Sequence, residues 1–204
     1  MPIRVEIYAA GGVAVGVVAR AGRLRDVLES DRELLVERAT WHPLDGSPAQ
    51  PAGELAIAGD DILLAVGDEH EEGPVHAQWH DVAVRVGPYR VTGQMPTMPG
   101  FDPGRALARP TGEFVLLRDV RISLTDTDPE GDSTQSTAFV NRYVVDEVAA
   151  DLMLGFFFPG ATMTVTGGHD RTTAGATRGL DAITGSGPVA APGPVVDVIA
   201  GAGA

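Results

Sequence analysis

Cysteine is missing from the 204-residue chain, and so is lysine; all fifteen basic residues are arginine. Without Cys there is no disulfide framework, no thiolate nucleophile and no Cys-ligated metal site. Aromatic residues are scarce at 5%, so the core has to be built mainly from Val, Leu, Ile and Ala. No apolar run approaches the ~18 residues that a membrane-spanning helix needs; the Phe-rich run Leu152 to Pro159 is far shorter. The opening Met1-Pro2-Ile3-Arg4-Val5 enters a strand pattern directly, with no charged segment before an apolar one. No secretion signal is expected there, and the chain reads as cytoplasmic. Positive charge is in deficit, with a formal net charge of −13. So acidic a surface repels phosphate backbones, which disfavours nucleic acid as a partner.

Sequence signatures of chemistry are missing too. No G-x-S-x-G elbow occurs, and no Ser has a neighbouring His with an orienting acid. Gly11-Gly12 and Gly167-Gly168 do not sit between a strand and a helix as phosphate-binding loops do. No catalytic residue and no cofactor is assigned, and a non-enzyme is preferred to an enzyme.

What is present is a duplication. Val5-Glu6-Ile7, Gly12 to Gly16, Gly22-Arg23, Glu33 to Arg38 and Leu55 to Leu63 are followed in the same order by a second set. These are Val82-Ala83-Val84, Tyr89 to Gly93, Gly104-Arg105, Glu113 to Arg118 and Ala138 to Val145, with an offset of about 77 to 83 residues. Fixed-period self-similarity sets architecture before any other reading. Period-two alternation predicts strands over residues 3–9, 13–19 and 33–41; Leu24, Val27 and Leu28 predict one or two helical turns. Glu54 to Ala58 and Ile62 to Val66 predict a tight hairpin across Gly59-Asp60. The organisation expected is a first repeat over 1–67, an acidic His-containing linker over 68–80 and a second repeat over 81–168. A flexible Gly/Ala/Pro tail follows over 169–204, too poor in large side chains to offset its ordering entropy.

In each half the order is hairpin, short helical insert, long strand and tight hairpin, which resembles the small SH3-like barrels. Leu55-Ala56-Ile57-Ala58-Gly59-Asp60-Asp61-Ile62-Leu63-Leu64 resembles the second signature of Sm-like proteins, and Leu34 to Ala39 is similar to their central strand. The resemblance implies an all-β fold of two tandem small SH3/Sm-like barrels with a low-complexity C-terminal tail. It does not carry RNA binding with it. The family's pocket uses an Arg before the turn Gly and an Asn before the central strand, where this chain has Ala58 and Asp31-Arg32-Glu33. Gly100 to Leu107 with Phe114 to Val120 is also similar to a recurring actinobacterial domain to which no activity attaches.

Three segments are candidate sites. His70, His76 and His80 lie among Asp68, Glu69, Glu71, Glu72 and Asp81, ligand types that suit zinc or another divalent ion, but Gly73-Pro74 argues against a helix that would align them, and a solvated acidic linker is the preferred reading. Asp126, Asp128, Glu130 and Asp132 alternate as calcium ligands do, but Pro129 and the missing terminal acid leave a hairpin loop as the better reading. Leu152, Met153, Leu154, Phe156, Phe157 and Phe158 hold half of the chain's six Phe. They form either a closing core strand or an exposed anchor for a partner protein, since Met and aromatics are enriched at interface cores. The sequence thus points to a non-catalytic scaffold or assembly subunit that associates with a protein partner or with itself. The alternative is a small-ligand or divalent-metal site between the repeats.

Overall fold

The computed structural model describes residues 2–20, 22–30, 32–68, 75–100, 112–125 and 132–166. The expected tail, His70 and the acidic positions 126, 128 and 130 lie outside the described residues. The rest is mostly β-structure with one α-helix, α1, Leu24–Ser30. The first repeat holds β1 (Ile3–Ala9), β2 (Gly12–Val18), β3 (Glu33–Pro43), β4 (Gln50–Ala58) and β5 (Leu64–Gly67). The second holds β6 (Gln78–Val86), β7 (Tyr89–Thr97), β8 (Phe114–Leu124), β9 (Ser133–Asn141) and β10 (Val145–Ala150), with β11 (Thr162–Val165) after it. Gln78, Trp79 and His80, grouped with the linker on sequence, open β6.

All eleven strands join one sheet in the order β11-β10-β6-β7-β8-β9-β5-β1-β2-β3-β4. Within it, β5-β1-β2-β3-β4 and β10-β6-β7-β8-β9 have the same order. The duplication extends to irregularities. The β2–β3 register breaks between Val15 and Val17, around Gly16, and the β7–β8 register breaks between Thr92 and Gln94, around Gly93. Opposite each break sits a residue in the left-handed region, Arg38 (φ 52°) and Asp119 (φ 51°). Such bulges bend and twist a strand, so each repeat bends at the same place for the same reason.

The predicted hairpin at Gly59-Asp60 does not form. A 3-10 turn, Gly59–Asp61, stands there, and β4 and β5 lie on opposite sides of the first repeat. The turn is fixed by Gly59 N–H donating to the Arg32 carbonyl at 2.8 Å and Ile62 N–H to the Gly59 carbonyl at 3.1 Å. The physical reason is in the following residues. Ile62 to Val66 are all buried, and a strand covered on both faces cannot be the outer arm of a surface hairpin. β5 lies between β1 and β9 instead.

That placement joins the repeats. Leu64 pairs with Val140 and Ala65 with Phe139, antiparallel. Asn141 N–H donates to the Leu63 carbonyl at 3.0 Å, and its side-chain amide to the Ile62 carbonyl at 3.2 Å. Strand side chains alternate between faces, so the junction feeds two cores. Phe114, Leu116, Phe139 and Ala65 pack with Ile3, Ile7, Leu24, Leu28 and Ile62 of the first repeat. Val115, Leu117, Val140, Leu64, Val66 and Tyr8 pack with Val82, Val84, Val91 and Met95 of the second. The two cores therefore lie on opposite faces of one continuous sheet. Tyr89 adds a cross-link: its hydroxyl donates to the Ala9 carbonyl at 2.9 Å, and its ring meets Tyr8 edge-on at 5.3 Å. Glu29 at the end of α1 accepts from the N–H groups of Glu113 and Phe114, which holds the start of β8.

Two predictions follow the bulges and the junction. A Cβ on Gly93 would stand 2.9 Å from the Arg118 carbonyl oxygen, and one on Gly16 2.7 Å from that of Glu37. Gly16→Ala and Gly93→Ala should each cost about 1–3 kcal/mol, the range for overpacking, in urea unfolding. Asn141→Ala leaves the Ile62 carbonyl without its side-chain donor and should cost about 1–3 kcal/mol in the same assay.

Candidate functional site

The apolar segment after β10 is not a strand but a series of turns, Asp151 to Gly160, that carries the chain from β10 to β11. β11 then pairs parallel with β10, Glu147 with Thr162 and Val148 with Met163. The six candidate residues divide. Leu154 and Phe158 are buried in the second core, and Leu152 and Phe157 pack against it. Phe156 is half-buried, edge-on to Phe157 at 6.1 Å, and Met153 stays 51% exposed. Buried Arg142 tethers the turn, with its guanidinium donating to the Phe156 carbonyl at 3.2 Å.

Of the three histidines, His76 lies in a turn at φ 68° and His80 in β6, while His70 lies outside the described residues. Among the described residues no group of three or more His, Asp or Glu converges as a metal site. His80 instead bridges two elements. One ring nitrogen is 3.0 Å from the Thr97 hydroxyl, and the other is 3.4 Å from an Asp151 carboxylate oxygen. Hydroxyl, imidazole and carboxylate are the parts of a nucleophilic relay. Yet Thr97 is only 4% exposed, so its hydroxyl is not presented to a substrate. The contacts pin the β6–β7 end to the turn after β10. No sequence signal announces this trio, whose members are far apart along the chain.

Elsewhere the electrostatics are those of paired surface groups. Arg85 lies opposite Glu147 on neighbouring strands and donates to it at 2.8 Å. That hydrogen bond holds the Glu147 carboxyl below the usual carboxylate range. Burial raises the Tyr8 and Tyr89 hydroxyls above the ordinary phenol range, so both remain protonated donors. Arg118 stacks on Trp79, 3.7 Å from the ring centroid, and donates to Gln94.

The open end of the sheet supplies what the sequence reading missed. β4 is the last strand, with its outer edge unpaired among the described residues. Beside it runs a groove of about 630 Å³, lined by Trp41, Leu55, Ile57, Leu63, Asp60 and Asp61 among others. On the face where β3 and β4 put Glu33, Glu37 and Glu54, Leu35 lies opposite Ala56 and is 44% exposed. The duplication hints at such an edge, because an edge paired in one repeat can be bare in its counterpart, but only the strand order shows which copy keeps it.

Comparison with known proteins yields no relative. No family model matches the chain, and neither a curated protein nor a solved structure matches it.

The division of the apolar turn makes a direct prediction. Phe158→Ala should destabilise the protein by about 3–5 kcal/mol, as for a large buried aromatic, whereas Met153→Ala should change stability by no more than about 0.5 kcal/mol. Urea unfolding of both variants beside the parent chain checks it.

Proposed function

We propose that this chain is a non-catalytic assembly subunit, built from two tandem small SH3/Sm-like barrels, that associates with a protein partner or with itself in the cytoplasm. One observation carries the reading. The repeats meet edge to edge through β5 and β9, with backbone pairing in the middle and side chains buried on both faces. That is the construction of a strand-mediated protein–protein interface, here within one chain. It is heterologous, because different edges of the two copies meet, and such a contact leaves one edge of each end copy over. One leftover edge, on β10, is covered by β11; the other, on β4, is unpaired among the described residues. The buried Thr97 hydroxyl adds no support to an enzyme, and the half-exposed Phe156 with Met153 gives the second repeat an apolar spot beside its core.

Native mass spectrometry of the full chain, purified gently from its own host, tests the reading. The expected result is a defined oligomer or a stoichiometric complex with a second polypeptide. A bare monomer at all concentrations, with a melting temperature raised by a divalent ion or a small ligand, overturns it in favour of a ligand site between the repeats.

A further inference from the structure

We propose that the outer edge of β4 from Glu54 to Ala58, with the groove beside it, docks one short extended strand of alternating aliphatic and basic residues from a basic protein partner. The inference rests on the assembly reading and deepens it by naming the surface and the chemistry of what it takes.

The chain contains its own precedent. Leu34 pairs with Ile57 as Val115 pairs with Val140, so β4 is the counterpart of β9. The outer edge of β9 receives Leu64 and Ala65 at Val140 and Phe139. The matching positions on β4 are Ile57 and Ala56, and they receive nothing among the described residues. The same comparison explains Leu35. Its counterpart Leu116 is buried beneath the first repeat with Phe139, whereas Leu35 and Ala56 are bare. A surface that the fold covers in one copy is left open in the other.

The two faces of the edge differ. One side of β4 borders the groove, where the half-buried Trp41 and Leu55 offer apolar contact over buried Ile57 and Leu63, and the groove lining reaches round the edge to Ala56 and Ala58. The other side carries Glu33, Glu37 and Glu54 around Leu35 and Ala56, with Glu37 directly opposite Glu54. An added strand alternates its side chains between these two faces. Aliphatic residues would enter the groove, and Arg or Lys would meet the carboxylates. Length is limited as well. Pro51 lacks a backbone N–H and Gly53 turns with φ 69°, devices that blunt an edge. Only Glu54–Ala58 remains straight and open.

A second copy of this chain does not fit. The edge it would need to offer, β10, is already covered. β11 holds Glu147 and Val148, the counterparts of Leu64 and Ala65. Meeting β4 to β4 would oppose two sets of Glu33, Glu37, Glu54, Asp60 and Asp61 in a chain of net charge −13. Like charges across paired strands destabilise.

The probe is a labelled, end-blocked heptapeptide, Arg-Val-Arg-Ile-Arg-Val-Arg, titrated into the full chain by fluorescence anisotropy. Amide hydrogen exchange locates it. The expected result is saturable binding that slows exchange between Glu54 and Ala58. N-methylation of alternate peptide amides should weaken binding more than about tenfold, because it removes the main-chain donors that strand addition uses. Glu33→Lys with Glu54→Lys, two exposed positions, should weaken it similarly while leaving the melting temperature unchanged. The acidic analogue with Glu for Arg should not bind. No binding, or binding indifferent to N-methylation with no slowing on β4, overturns the proposal. So does a dimer of the free chain whose β4 amides are already slow, which would make a second copy the occupant. Host complexes that persist while β4 stays unprotected sink this edge alone; a bare monomer purified from the host, with no second polypeptide, sinks the assembly reading itself.

Discussion

The pairing of Leu64 with Val140 and Ala65 with Phe139 is the contact on which the rest of the structure depends. Strand edges expose unpaired N–H and C=O groups, and a small β-unit must close, cover or blunt them. Here the first repeat closes the edge of the second. The contact is short, but its faces are not. Every side chain at the junction enters one core or the other, and side chains of β8 complete a core that belongs chiefly to the first repeat. A repeat of about 70 residues buries only about 60% of its unfolded surface by itself. Sharing β5, β8 and β9 between two cores makes up for that modest size.

The junction also dictates sequence. Strands with one wet face alternate, as β1 does with Ile3, Val5 and Ile7 against Arg4 and Glu6. Strands covered on both faces read as continuous apolar runs. Ile62 to Val66, Phe114 to Leu117 and Ala138 to Val140 are such runs, and all are central. They look alike in composition to the run at Leu152 to Phe158, which is no strand. Gly155 and Pro159-Gly160 break that run into turns, and its large side chains reach the second core from a loop.

These cases mark how far the sequence could be read. Local signals sufficed for the β1–β2 hairpin and for α1 through Leu24, Val27 and Leu28, because period and spacing are written in neighbouring residues. The β4–β5 connection was misread because a Gly-Asp turn between two apolar stretches predicts a hairpin, and only the destination of Ile62 to Val66 shows otherwise. That destination is Val140, far along the chain. The His80 contacts were invisible for the same reason, since Thr97 and Asp151 come from different elements. The acidic stretch was legible as charge, but its last residues, Gln78 to His80, were already strand, since Trp79 stacks on Arg118. The bare edge of β4 was implied by duplication yet not readable from it, because deciding which copy keeps an open edge needs the order of all eleven strands.

The two ends of that order are treated differently, and the difference has a physical logic. An internal duplication joined head to tail could continue from chain to chain, since each new copy presents the same pair of edges. Continuation requires both ends to be open. β11 removes one of them by pairing parallel to β10 through Glu147 to Ala150, and it is held there by a turn whose anchors, Leu154 and Phe158, are among the most deeply buried residues in the protein. A cap with so firm a footing is not easily exchanged for another strand. At the opposite end no comparable element covers β4 among the described residues. The chain places Pro51 and Gly53 in the first half of β4, and Glu54 lies beside Glu33 and Glu37 of β3 with Asp60 and Asp61 just beyond the strand, which restricts what can pair without covering the backbone. Strand addition is restricted at both ends, by a covering strand at one and by like charge at the other, and among the described residues only the charged end keeps its outer main-chain groups unpaired.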